Sequence, residues 1–521
     1  MKELYINHQK ATATDASLFE CAEAIGVHVP TSCVKQGKCR ECILEIESGE
    51  ELLSPRSPEE EHLGENFRLA CRSRIVGDGT VRCHTMRRGS MRIVESASDL
   101  PVGPEVLDPV VSSGHGIAID IGTTTVAMRL YDLASGKLIA AQSFENPQRF
   151  GGSDIMARIH YDTNHKGRLL QRTLLGYLTH AIERFGVPVE SIFEMTVAAN
   201  TTMRDMFFGL DVYCIGQKPY RSVTEHELIA GNRTSTALSA KSRMLRLPMN
   251  PNGSVYGLPL LGGHVGADAA ACLIATGLAD RDELSVVMDL GTNTELIMGN
   301  RDRIVVASCP AGPAFEGGGV ICGMPALDGA IERVAIEADG RMALKVIGDT
   351  TPHGICGSGL VDLMSELLRT GQMNAQGRFI DGSGKVHVFG DEVVFTEADV
   401  NELAQAKGAN VAGLRIVADV FGVDLDEIDR FYLAGGFALH LDPQAAKRIG
   451  LIPPLPDEKI VRVGNAAIEG ASRVLLSQTR RRELESLVRR VEHIELETHE
   501  RFFDFFVEGC QFVPIGSEVL Q

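Results

Sequence analysis

The spacing of apolar and polar positions changes character several times along the chain. Residues 1–90 alternate short β-type runs with turns: KELYINHQKATATDA, then CILEIESGEE, then RIVGDGTVRCHT. Between the first two, SLFECAEAIGV puts Leu18, Ala22 and Ile25 at helical spacing, so this stretch predicts a small α+β unit. SASDLPVGPEVLDPVVSSG has the Pro, Ser and Gly content of a connector, and 91–113 reads as a linker. Alternation then resumes in GIAIDIGTTTVAMRLYDLASGKLI, breaks at a Gly-Thr turn after Asp120, and continues with β-branched residues. That pattern predicts a hairpin, not the strand-to-helix turn of a Walker loop. SVVMDLGTNTELIMGNRDRIVVAS repeats the setting, with Asp289 placed 169 residues after Asp120. Two copies of D-apolar-G-T-x-T point to an internal duplication. RFYLAGGFALHLD adds a strand, a double-glycine turn and the expected start of a helix.

Charge and composition narrow the function classes. A net charge of −18 argues against nucleic acid as a partner, because phosphate binding needs clustered Lys and Arg. The most basic stretch, TRRRELESLVRRVEH, mixes signs and reads as a solvated helix face. MKELYINHQK lacks an apolar signal core, and no run of about twenty apolar residues occurs, so a soluble, cytoplasmic protein without a membrane partner is expected. Twelve cysteines are too sparse for a secreted disulfide scaffold, yet six fall within the first 83 residues.

Four of those six, Cys33, Cys39, Cys42 and Cys71, read C-x5-C-x2-C, then 28 residues, then C. A 2Fe–2S cluster needs four thiolates around two irons, and small or polar loop residues such as Gly37 let backbone N–H groups approach the sulfurs. Tetrahedral zinc is the rival, although zinc ribbons usually show paired C-x2-C knuckles and only one short pair exists here. Unrelated buried cysteines are the remaining reading. The order strand, helix, cysteine loop, strand, then LAC before GDGTV, resembles 2Fe–2S ferredoxins over almost all of residues 1–90. The resemblance implies a β-grasp fold with Cys33, Cys39, Cys42 and Cys71 as metal ligands; Cys21 and Cys83 match no ligand position and read as small core residues.

In the hairpins, Gly122 permits close backbone approach, Thr123, Thr124 and Thr125 offer hydroxyls and N–H groups to a phosphate, and Asp120 could hold Mg2+ through water. The order hairpin, hairpin, GG turn resembles the superfamily of acetate and sugar kinases, heat-shock chaperones and actin. This implies a two-lobed α/β, RNase-H-like ATPase with a first lobe over 114–255 and a second over 256–521. It also implies ATP with Mg2+, held by Asp120, Gly122–Thr125, Asp289, Gly291, Thr292, Asn293, Thr294, Gly435 and Gly436. Candidates for positioning a hydrolytic water are Glu295, Asp268 and Glu316, each equally readable as a surface carboxylate or helix cap. His264 and His440 sit near glycine turns, where an ordinary hydrogen-bonded histidine is the simpler reading than a cobalt ligand.

The glycine-rich segments LPLLGGHVGADAAACLIATG, SCPAGPAFEGGGVICGMPALDGAI, GICGSGLVDLM and VGNAAIEGA, taken with the ferredoxin front, resemble the reductive activators of corrinoid proteins over nearly the whole chain. Some members carry a longer linker and others a C-terminal multi-cysteine motif; here the linker is short and Cys510 stands alone. The resemblance implies ATP-dependent, one-electron reduction of inactive Co(II) to Co(I) on a corrinoid protein serving a methyltransferase system, and a homodimer. A 2Fe–2S centre lies near roughly −400 mV, and an acceptor 100 mV lower costs about 2.3 kcal/mol, which nucleotide can offset only by differential binding to two states. No flavin or nicotinamide fingerprint appears, so an external low-potential electron donor is implied. Two alternatives stand beside this. A dehydratase activator of the same superfamily would use Cys309 with Cys322 or Cys356 for a second cluster, and a redox-gated small-molecule kinase would need only the ATP lobes.

Overall fold

The structure, a computed structural model of the chain, describes residues 2–12, 15–87, 100, 107–436 and 438–517. Most of the predicted linker, 91–113, therefore lies outside the described residues. The described chain forms two compact units, one from Met1–Met91 with Val110–Gly257 and the other from Leu258 onward with 107–109.

The first unit begins with a five-stranded sheet. Its strands are β1 (Lys2–Ile6), β2 (Gln9–Ala11), β3 (Ile43–Ser48), β4 (Phe67–Leu69) and β5 (Gly79–Thr85), in the order β2-β1-β5-β3-β4. β1 and β5 run parallel at its centre, with Leu4 beside Val81 and Ile6 beside Cys83. Helix α1 (Leu18–Ala24) starts at a capping box in which Ser17 and Glu20 satisfy each other's backbone N–H groups, and it buries Leu18, Phe19, Cys21 and Ala22. Cys21 and Cys83 are thus core residues of the β-grasp unit.

The second sheet of this unit holds β6 (His115–Ile121), β7 (Thr125–Asp132), β8 (Leu138–Glu145), β9 (Ile192–Ala199), β10 (Leu238–Lys241) and β11 (Ser254–Gly257), ordered β10-β11-β9-β6-β7-β8. Helices α2 (Ile155–Asn164), α3 (Leu169–Glu183), α4 (Thr201–Phe208) and α5 (Val223–Ile229) accompany it. α3 is amphipathic, burying Leu170, Leu174, Tyr177, Leu178, Ala181 and Ile182. One apolar core runs from Leu4, Leu18, Ile43 and Val81 into Ile117, Val126, Leu174 and Tyr177, so the β-grasp sheet and the second sheet share it. Each such large side chain contributes roughly 1.5–3 kcal/mol when fully buried.

The other unit starts with α6 (Ala267–Thr276). Its main sheet has β12 (Ser285–Leu290), β13 (Thr294–Gly299), β14 (Ile304–Cys309) and, further along the chain, β20 (Arg430–Ala434), β21 (Ile460–Gly464) and β22 (Glu492–His493). Between β14 and β20 come β15 (Ala330–Ile336), β16 (Met342–Val346), β17 (Gly354–Ile355), α7 (Gly357–Arg369), β18 (Lys385–Phe389), β19 (Val393–Thr396) and α8 (Glu397–Phe421). The chain closes with α9 (Pro443–Arg448), α10 (Ala466–Leu476), α11 (Gln478–Leu487) and α12 (Phe502–Gly509). The main sheet is ordered β21-β20-β12-β13-β14-β22.

The duplication read from the motif is also one of topology. β6 pairs antiparallel with β7 and parallel with β9; β12 pairs antiparallel with β13 and parallel with β20. Asp120 and Asp289 are each the penultimate residue of their strand, and each stands beside an alanine of the parallel neighbour, Ala198 or Ala434.

Candidate functional site

The cysteine loop is curled by four left-handed residues, Val34, Lys35, Gly37 and Arg40. Gly37 is required there, because a Cβ at this position would fall 2.3 Å from Arg72 Nε on top of the unfavourable φ. The curl turns amides inward: the N–H groups of Gln36, Lys38 and Cys39 point at the Cys33 sulfur, and that of Gly37 at Cys71. The thiols are grouped two and two, Cys33 with Cys39 and Cys42 with Cys71. Burial pushes the Cys33 thiol up, but the amides and Cys39 outweigh it and bring it down to about 7. Cys71 comes down to about 7 chiefly through Cys42, which is raised by the same pairing and by burial, so that pair shares its proton on Cys42. Four thiols grouped two and two, with one of each pair, Cys33 and Cys71, drawn toward the thiolate and met by inward-facing amides, fit a 2Fe–2S cluster with two sulfurs for each iron.

β3 and β4 fix the second pair, since Ala70 N–H donates to the Cys42 carbonyl at 2.7 Å immediately before Cys71. Glu41, buried between Cys39 and Cys42, accepts from Ser32 Oγ (2.9 Å) and from Arg172 Nη1 of α3 (2.8 Å). A cysteine-spacing argument passes over Glu41; its only signal is a carboxylate inside an otherwise neutral or basic loop.

The first phosphate-type turn is built as the hairpin predicts. Gly122 N–H donates to the Thr125 carbonyl at 2.8 Å, and a Cβ on Gly122 would meet that same oxygen at 2.8 Å. Two asparagines clasp the turn. Asn146, following β8, donates from its backbone to Thr124 O (2.7 Å) and from Nδ2 to Gly122 O (2.8 Å). Asn200, the N-cap of α4, donates to Thr123 Oγ1 at 3.0 Å. Neither was singled out by the motif, although Asn-Pro after a strand and Asn before Thr-Thr are helix-start signals. Asp120 is buried at the strand end below the turn.

The second turn, Gly291–Thr294, carries a denser set of acids. Asp289 and Glu295 are direct cross-strand neighbours, and Asp268 lies in the first turn of α6. Burial pushes Asp268 up to about 7, with a further push from the Asp289 charge, and pushes Asp289 up to about 6, against a hydrogen bond from Cys272. Glu295 is raised by burial and then by Asp268, while Ser308 Oγ donates to it at 3.0 Å. Three carboxylates raised chiefly by burial, two of them further by their neighbours' charge, are surroundings that suit a divalent cation. Glu316 accepts from Thr292 Oγ1 at 2.5 Å, so the structure brings this candidate onto the turn itself. Thr294 is buried, and Asn293 and Gly291 lie within the bend, with the Asn293 carbonyl facing Gly291.

Gly435 packs on the end of β12, where a Cβ would come within 2.1 Å of Leu290 O; Gly436 faces open space. The double glycine thus abuts the second turn. It leads into a 3-10 turn, Ala438–His440, and α9 begins only at Pro443. The expected helix directly after Gly436 is corrected to this: Asp442 and Pro443 supply the α-helical start. His440 ends the 3-10 turn, and His264 lies before α6 with its ring pKa lowered by burial. Cys309 ends β14 under α8, Cys322 is buried, and the Cys356 thiol donates to Ile331 O at 3.4 Å. All three are core residues in the structure.

Comparison with known proteins agrees with this arrangement. Three family descriptions match the chain in order: a 2Fe–2S iron–sulfur cluster binding domain over residues 5–76, the RACo middle region over 115–281, and the C-terminal ASKHA domain of RACo over 283–520. An iron–sulfur domain joined to an actin- and sugar-kinase-type fold is the class these features define. The corrinoid activation enzyme RamQ of Eubacterium limosum is 32% identical over 429 residues, 76% of this chain and 70% of that one. The [Co(II) methylated amine-specific corrinoid protein] reductase of Methanosarcina barkeri is 23% identical over 421 residues, 75% and 76% of the two chains. A solved structure of a reductive activator for a corrinoid, iron–sulfur protein matches at TM-score 0.70 and 26% identity, over 98% of both chains. The chain belongs to the family of corrinoid-activating enzymes. Among the described residues no helix is long and apolar enough to cross a membrane.

Proposed function

We propose that the protein reductively activates a corrinoid protein, returning Co(II) to Co(I) at the expense of ATP, for a methyltransferase system. The observation that carries this reading is the presence, in one chain, of four cysteines grouped two and two, with amides turned toward Cys33 and Cys71, and of two phosphate-type turns on duplicated strands. A 2Fe–2S cluster held by Cys33, Cys39, Cys42 and Cys71 would supply the single electron. The chain's own residues do the rest. The 122–125 and 291–294 turns bind phosphate oxygens through backbone N–H groups and hydroxyls, and Gly435 and Gly436 leave room for the nucleoside. Asp120 and Asp289 would each offer a carboxylate to Mg2+, which would offset phosphate charge, while Asp268, Glu295 and Glu316 would supply the acidic surroundings that orient a hydrolytic water. Electrons come from an external low-potential donor, and the working form is a homodimer.

The test mixes the purified, chemically reduced protein with a Co(II) corrinoid protein and follows the Co(I) absorption band with and without ATP. ATP-dependent growth of the band is expected. Phosphorylation of a small metabolite without any cobalt reduction would replace this reading with a redox-gated kinase.

A further inference from the structure

The Asn146 clasp has a continuation toward the cysteine domain. Asn146 Oδ1 accepts from Gln148 N–H at 2.9 Å and so caps the short 3-10 turn Pro147–Gly151. Arg149 projects from that turn. Its Nη2 lies 2.6 Å from Glu45 Oε2 on β3, three residues after Cys42, and its Nη1 lies 4.0 Å from Glu145 Oε1. Glu145 is the register partner of Thr125 in the phosphate hairpin. The same Nη2 donates to Thr85 O of β5 at 3.4 Å. The guanidinium is largely buried between two carboxylates, one beside the phosphate-type turn and one on the strand that begins directly after Cys42.

Buried charges are held by their partners, and shifting one carboxylate costs the guanidinium its best geometry. Phosphate bound at 122–125 takes up backbone N–H groups of the turn that Asn146 grips through its two carbonyls. A displacement there moves Asn146, the 3-10 turn it caps, and Arg149 with it. We infer that Asn146 and Arg149 are positioning residues that couple nucleotide occupancy of the 122–125 turn to the docking of the cysteine domain, through the Arg149–Glu45 ion pair. The inference rests on the nucleotide reading above. Its thermodynamic content is reciprocal: nucleotide alters the ease of reducing the cluster, and cluster reduction alters nucleotide affinity by the same factor.

The experiment measures the affinity of the full, cluster-loaded chain for a non-hydrolysable ATP analogue with Mg2+, in the oxidised and the dithionite-reduced states. A ratio of about fivefold or more is expected, equivalent to a midpoint shift of about 40 mV at 59 mV per tenfold. In Arg149→Glu the two affinities should converge to within about twofold while the visible spectrum of the cluster persists; the milder Arg149→Gln serves if that variant folds poorly. Arg149→Lys, which keeps a cation beside both Glu45 and Glu145, should hold most of the ratio while Arg149→Gln loses it, with the cluster spectrum intact in both. A redox-insensitive affinity in the unmodified protein, an undiminished ratio in Arg149→Glu and Arg149→Gln, or the same loss in Arg149→Lys as in Arg149→Gln would each overturn the coupling. Absence of any nucleotide binding overturns the functional reading as well, and is distinguished by that.

Discussion

At the scale of single residues, the chemistry rests on a few side chains whose surroundings are already shifted. Cys42 is wholly buried and pairs with Cys71, whereas Cys83 is a core residue donating to Tyr5 O at 3.6 Å. Cys42→Ser should therefore bleach the visible spectrum and lower the iron content from about two per chain, while Cys83→Ser should leave both unchanged. Asp289→Asn should reduce ATP hydrolysis by roughly 10–100-fold, the usual cost of losing an outer-sphere partner, with the cluster spectrum intact; normal hydrolysis would refute the duplicated-turn assignment. The sequence exposed these residues because thiol spacing and D-x-G-T-x-T are local patterns. It did not expose Asn146, Asn200, Glu41 or Arg149, since each acts on a partner distant in sequence: Glu41 meets Arg172, and Arg149 meets Glu45.

Among the elements, α3 does the most to fix the cysteine domain. Tyr177 OH accepts from Met86 N–H at 3.1 Å, Gly176 leaves space for Pro30, and His180 stacks on His28 at 4.0 Å. His28 is pushed down to about 4 by burial, with further depression from His180 and Arg87. His180 is lowered by burial and by Arg87 and Arg184, against a small opposing pull from Glu183. Burial thus disfavours the charged form of both stacked rings. A histidine whose pKa is depressed in the folded state contributes stability that is complete above its unfolded value near 6.5 and is lost as pH falls toward 4. Calorimetric scans from pH 7.5 to 5.5 should show the melting temperature of the unmodified protein falling more steeply than that of His28→Gln; parallel curves would rule this contribution out. The periodicity of α1 and the two hairpins was readable from sequence alone. The helix expected after Gly436 was not realised, because Asp442 and Pro443 provide a better α-helical start a turn later.

For the whole molecule, the functional proposal requires both cofactor sites for cobalt reduction but only one for ATP turnover. A full-length Cys42→Ser/Cys71→Ser chain should keep corrinoid-stimulated ATP hydrolysis and form no Co(I), whereas Asp289→Asn should keep the cluster and lose the ATP dependence. Full-length variants are preferable to a chain begun near Ser112. Truncation there would strip the β-grasp side from the core it shares with Ile117, Leu174 and Tyr177. That shared core also bears on how such chains are assembled and exchanged. Two segments that match separate family descriptions melt together if they bury each other's apolar side chains, so heat should release the cysteine domain and the 115–257 sheet in one cooperative step. Grafting a foreign ferredoxin onto this chain would accordingly fail unless the face of α3 that meets the cysteine domain were re-cut to receive it: here the electron carrier is an organ of the ATPase and not a detachable plug.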